Sequence, residues 1–94
     1  MYARKTTIIN RLGLHARVAA AFVGKAESYS SEITLKQLDE NGEEVKSCPV
    51  KSIVFLIAMG LKKGTAIQLT AEGEDEQEAV DALVGMIDAG FGEE

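Results

Sequence analysis

The stretch Ser31–Val50, SEITLKQLDENGEEVKSCPV, decides the fold. Ile33 and Leu35 alternate with Thr34 and Lys36, the period of two expected of a strand with one buried face, so the pattern predicts a strand over Glu32–Leu38. Asn41-Gly42 follows as a two-residue hairpin turn, and Glu44–Val50 returns antiparallel. Pro49 has no N–H to give to a ladder, which puts the returning strand at a sheet edge. An antiparallel pair with one apolar face needs a layer to cover that face.

Working outward, the covering layer is legible on both sides. Upstream, Ala19, Phe22, Val23 and Ala26 recur at three and four, which predicts a helix over Ala16–Glu27. A strand over Ala3–Ile9 and a loop through Gly13 precede it. Downstream, Ser52 is placed to cap a short apolar helix, Ile53–Met59, that Gly60 ends. A strand over Ala66–Ala71 comes next. The last element is a helix over Asp75–Ala89, with Ala79, Val80, Leu83, Val84 and Ile87 on one face and Asp75 with Glu78 resembling a capping box. The order βαββαβα predicts an α+β fold, an open-faced β-sandwich: a four-stranded antiparallel sheet with three helices on one face. No linker or repeat divides residues 1–94, so a single domain is expected.

Composition excludes several classes of function. The net charge of −5 and only five aromatic residues, none of them Trp, disfavour nucleic acid as a partner. The longest apolar run, Ile53–Met59, is far short of the roughly 20 residues of a membrane span, so no membrane insertion is expected. One cysteine, Cys48, leaves no partner for an intramolecular disulfide or a cysteine-based metal cluster. A reducing, cytoplasmic setting, a monomer, and no metal or cofactor are the resulting expectations. Charge is unevenly distributed. Glu72, Glu74, Asp75, Glu76 and Glu78 crowd together, and Glu93 and Glu94 close the chain, whereas Arg4–Lys25 carries Arg4, Lys5, Arg11, Arg17 and Lys25 and no acid. That basic quarter suits an acidic docking partner or a small anion.

Inside it lies the one histidine, in NRLGLHARVAAAF, Asn10–Phe22. A helix starting at Ala16 puts His15 at its N-cap, beside backbone N–H groups of Ala16, Arg17 and Val18 that have no intrahelical acceptor and carry the positive end of the helix dipole. That is an anion site. Arg17 adds a planar guanidinium fork that matches phosphate oxygens. An imidazole, with an ordinary pKa of roughly 6.5, is the side chain that is both substantially neutral and nucleophilic near pH 7. Ala16 and Ala20 are small enough to let a partner approach. Together these residues predict a phosphohistidine site, set against the plainer reading of a solvated capping histidine.

GLHARVAAAFV closely resembles the active-centre motif G-[LI]-H-[AT]-R-P-A of the histidine-containing phosphocarrier (HPr) family of the bacterial phosphoenolpyruvate-dependent sugar phosphotransferase system. VKSIVFLIAMGLKKGTAI resembles the second family signature, and AEGEDEQEAV the last strand and helix, so the resemblance spans the chain. It implies a stoichiometric carrier rather than an enzyme. His15 is then phosphorylated on Nδ1 by phosphorylated Enzyme I, Arg17 assists, and the group passes to the IIA domains of sugar permeases. Ser52 matches the serine that a dedicated kinase modifies in many members, a state read by a catabolite-repression regulator. Ala16, Ala20, Ile53, Val54, Ile57 and Ala58 match partner-docking positions.

The chain departs from the family in three places. Val18 stands where the family has proline, the Asn41-Gly42 hairpin is longer on both arms with an apparently symmetrical extension, and Phe55 replaces a polar or small residue. Two other readings follow from the same residues. One is a regulatory paralogue of a nitrogen or catabolite-repression branch that acts by binding alone; retention of His15 and Arg17 speaks against it. The other is an acylphosphatase-like hydrolase. LGLHARVAA lacks the glycine-rich turn such a site needs, and no asparagine is placed to serve it beyond Asn10 and Asn41.

Overall fold

The computed structural model describes residues 1–93. Seven elements follow in the expected order: β1 (Tyr2–Thr7), α1 (Ala16–Ala26), β2 (Glu32–Leu38), β3 (Glu44–Pro49), α2 (Ile53–Met59), β4 (Ala66–Glu72) and α3 (Glu76–Asp88). A 3-10 turn, Gly90–Gly92, which no sequence pattern announced, follows α3. The strands form one antiparallel sheet in the order β1-β4-β2-β3, an open-faced α+β sandwich. Pro49 does lie on an edge strand.

The register explains why one face is covered. Leu35 is paired with Leu69 on one side and Cys48 on the other, while Ile67 and Ala71 alternate with Leu69 along β4. These side chains are buried against Phe22 of α1, Leu56 of α2 and Val80, Leu83 and Ile87 of α3 in a single core. Cys48 belongs to it, and burial pushes its thiol pKa up, as suits a small packed side chain rather than a reactive one. The row Lys5–Gln68–Lys36–Ser47 crosses the opposite, uncovered face.

Four local expectations are corrected. The hairpin is not a two-residue Asn41-Gly42 turn. Asp39 C=O accepts from Gly42 N–H at 2.9 Å, and the Asp39 carboxylate accepts from the N–H groups of Asn41 and Glu43, both at 2.9 Å. Asp39 therefore organises a four-residue turn that Gly42 closes at a φ of 81°. Nor is the hairpin extension symmetrical: Gln37 pairs with Lys46 and Leu38 with Glu44, so Val45 is an extra, bulged residue.

The capping box at α3 does not form. Asp75 occupies the N-cap position, but its carboxylate accepts from the backbone N–H groups of Ser30 and Ser31, at 2.9 and 3.1 Å, and from the Ser31 hydroxyl. Glu76 takes the Gly73 N–H instead, at 3.1 Å. Tertiary donors win over local ones because the turn before β2 lies against the start of α3. At α2 the position is right but the bond is not. Ser52 is the N-cap and its carbonyl accepts from Leu56 N–H at 3.0 Å, yet its hydroxyl makes no capping bond.

Candidate functional site

The loop before α1 is shaped by a close backbone approach. Gly13 N–H donates to Asn10 C=O at 3.1 Å, and Leu14 N–H donates to Leu61 C=O at 3.0 Å. Gly13 has a φ of 68°, and a Cβ there would meet the Leu61 carbonyl oxygen at 2.4 Å. Only glycine fits on both counts. The turn delivers His15 to the N-cap of α1 in extended conformation, φ −82° and ψ 177°. The first backbone bond of the helix runs from Ala19 N–H to His15 C=O at 2.8 Å, so Ala16, Arg17 and Val18 keep N–H groups without an intrahelical acceptor. The helix start that the sequence predicts at Ala16, with its free N–H groups, is present.

Around it, Ala16 and Ala20 are exposed, Arg17 projects with 79% of its side chain exposed, and His15 is partly sheltered. Val18 is buried in the core with Phe22. In place of the family proline it supplies packing as well as an N–H. The apolar helix α2 resolves cleanly into two sides. Leu56 and Met59 are buried, whereas Ile53, Val54, Phe55, Ile57 and Ala58 are exposed, Val54 at 71%. It packs against α1. Ser52 lies at the N-terminal end of the same helix, partly exposed.

Two residues the sequence reading left out complete the site. Glu93, from the segment after α3, places Oε2 at 2.9 Å from His15 Nε2 and 2.5 Å from Arg17 Nη2. Asn10 is buried, and its Nδ2 donates to Gly13 C=O at 2.8 Å and to Glu93 Oε1 at 3.0 Å. Asn10 thus ties the loop to the tail, with its own Oδ1 buried and unpaired among the described residues. The Asn10 amide, then the bonds from His15 and Arg17, hold the Glu93 carboxyl well below the usual carboxylate range, at about 2. The tail is positioned by Phe91, whose ring stands edge-on to Phe22 with centroids 5.9 Å apart. Phe91 takes a φ of 57°, a costly conformation for a non-glycine residue that the stacking and the site bonds maintain. No spacing rule links residues 10, 15, 17 and 93. The one available signal was electrostatic: a basic segment without an acid of its own, and acids at the chain end.

A groove of about 570 Å³ runs between α1 and this tail, lined by Arg11, Leu12, Arg17, Val18, Phe91 and Glu93 among others. Among the described residues no helix is long and apolar enough to cross a membrane.

Comparison with known proteins places this geometry. The family profile described as "PTS HPr component phosphorylation site" matches residues 2–89. The phosphocarrier protein HPr of Pseudomonas aeruginosa is 44% identical over 94 residues, covering 99% of this chain and 98% of that protein. The multiphosphoryl transfer protein of Haemophilus influenzae is 36% identical over 86 residues, or 92% of this chain, which spans only 17% of that longer protein. Among solved structures, HPr-C-His from Thermoanaerobacter tengcongensis superposes with a TM-score of 0.87 at 41% identity, covering 100% of this chain and 99% of that one.

Proposed function

The chain belongs to the HPr family, the phosphocarriers of the phosphotransferase system, and we propose that His15 Nδ1 is the atom that carries the phosphoryl group, received from phosphorylated Enzyme I and passed to the IIA domains of sugar permeases. The observation that carries this reading is the placement of the His15 ring at the mouth of α1, beside three N–H groups free of helix bonds and the exposed guanidinium of Arg17. The Nδ1 lone pair forms the new N–P bond as the donor's bond to phosphorus breaks. The helix N–H groups and Arg17 then meet the negative oxygens, which stabilises the phosphoryl group without surrounding it. One side stays open, so an acceptor can take the group away.

Docking is assigned to Ala16, Ala20 and the outward side of α2, with Ile53, Val54, Ile57 and Ala58 as contacts and Phe55 as an addition particular to this chain. A serine kinase acting at Ser52 would put a dianion beside that surface and oppose acidic partners. The protein works in the cytoplasm, as a one-domain monomer that carries the group stoichiometrically. Incubation with phosphoenolpyruvate and Enzyme I should add the mass of one phosphate in an acid-labile form. His15→Ala should abolish that gain while leaving the far-UV spectrum unchanged. Label persisting in that variant would place the carrier atom elsewhere.

A further inference from the structure

The Glu93 contact has chemical content beyond tethering the tail. A neutral imidazole has one N–H and one lone pair, and a carboxylate bonded to one ring nitrogen selects the tautomer with the proton there. Glu93 Oε2 meets Nε2, at 2.9 Å. The ring it holds therefore presents its lone pair at Nδ1. His15 makes no side-chain bond to its own helix, so the carboxylate is the ring's fixed reference.

We propose that Glu93 is a positioning residue for phosphoryl transfer: it accepts the Nε2–H of His15, aims the Nδ1 lone pair outward, and holds Arg17 at the same carboxylate. This rests on the reading that His15 Nδ1 is the carrier atom. The contact also matters after transfer. When Nδ1 bonds to phosphorus the ring becomes a phosphorylated imidazolium, with its positive charge shared between the two nitrogens and the proton still on Nε2. A carboxylate at Nε2 stabilises that cation. A protonated ring is the better leaving group, so the same contact helps the next acceptor take the phosphoryl group. The carboxylate is held ionised for this by Asn10 on its other oxygen. Glu93 lies beyond residue 89, where the family profile match ends.

The test uses full-length protein labelled with 15N at histidine, as wild type and Glu93→Ala, at about pH 9, above the ordinary histidine range. In the wild type Nε2 should resonate as a protonated, pyrrole-type nitrogen and Nδ1 as a pyridine-type one. In Glu93→Ala both signals should move toward the averaged positions of a free imidazole. Phosphorylation at saturating Enzyme I should fall about three- to tenfold, with the Enzyme I concentration for half-maximal rate unchanged. Unchanged 15N signals and rate in a variant still phosphorylated on His15 would overturn the proposal and leave the carrier reading intact. Faster transfer would overturn it too, by making the carboxylate an inhibitor. If the wild type takes no phosphoryl group at all, the carrier reading fails, and the 15N signals still decide the contact.

Discussion

At the scale of single residues, the site is a balance of one carboxylate against two cationic or cation-forming side chains. Arg17 is the exposed member, and its bond to Glu93 is the one built contact it makes among the described residues. A surface ion pair of this kind contributes little to stability, about 0–1 kcal/mol, because water solvates both groups once it opens. Its proposed use is in transfer. Arg17→Ala should slow phosphorylation by Enzyme I about tenfold or more, while Tm moves by no more than the degree or two expected of a surface change. Equal rates for the variant and the wild type would remove Arg17 from the mechanism. Val18 sits one residue further and shows the opposite balance. It is buried with Phe22, so its departure from the family proline alters core packing as much as the anion site.

At the scale of elements, α2 is the test of the docking surface. Its apolar residues are distributed around the whole helix in the sequence, and burial alone separates Leu56 and Met59, which hold the helix to the core, from Ile53, Val54, Phe55 and Ile57, which do not. Val54 is the most exposed of them. Val54→Glu therefore removes little packing and should lower stability by less than about 0.5 kcal/mol. It places a charge in the middle of the proposed docking contact, so affinity for Enzyme I should fall about tenfold or more, measured by calorimetry on the folded variant. A loss of Tm with affinity preserved would show that the residue supports the fold and not the interface.

At the scale of the whole molecule, what was legible was periodic, and what was not legible was set by carboxylates, most of them acting at long range. The bounds of β2 and α2 are those read from alternation and from the Ser52–Gly60 punctuation, because those signals act within a few residues. Pro49 marked its own edge for the same reason. The hairpin turn and the start of α3 were misread where a carboxylate had a better offer: Asp39 from its own turn, and Asp75 from Ser30 and Ser31, 45 and 44 positions away. Glu93 reaches His15 across 78 positions. The contacts of Asp75 and Glu93 share one physical signature, which gives the last prediction. The carboxyl groups of Asp75, Glu76 and Glu93 all lie below their ordinary range: Asp75 chiefly through the Ser31 hydroxyl and the Ser30 N–H, Glu76 chiefly through the Gly73 N–H and then the chain's amino terminus, and Glu93 chiefly through Asn10. A carboxyl whose pKa is depressed on folding adds stability in full above its unfolded value, here 3.8 for Asp75 and 4.5 for the two glutamates, and loses it as pH falls through the folded value. Urea unfolding should therefore show stability level from neutral pH down to about pH 5 as far as these groups are concerned, then falling toward pH 2, where Glu93 itself takes up a proton. Asp75 joins the approach to β2 to the start of α3, so Asp75→Asn should be less stable than the wild type at pH 7, and the two curves should converge as pH drops below 3.8. A gap that stays constant from pH 7 to pH 2 would mean that the shape of the side chain, and not its charge, ties the two layers together.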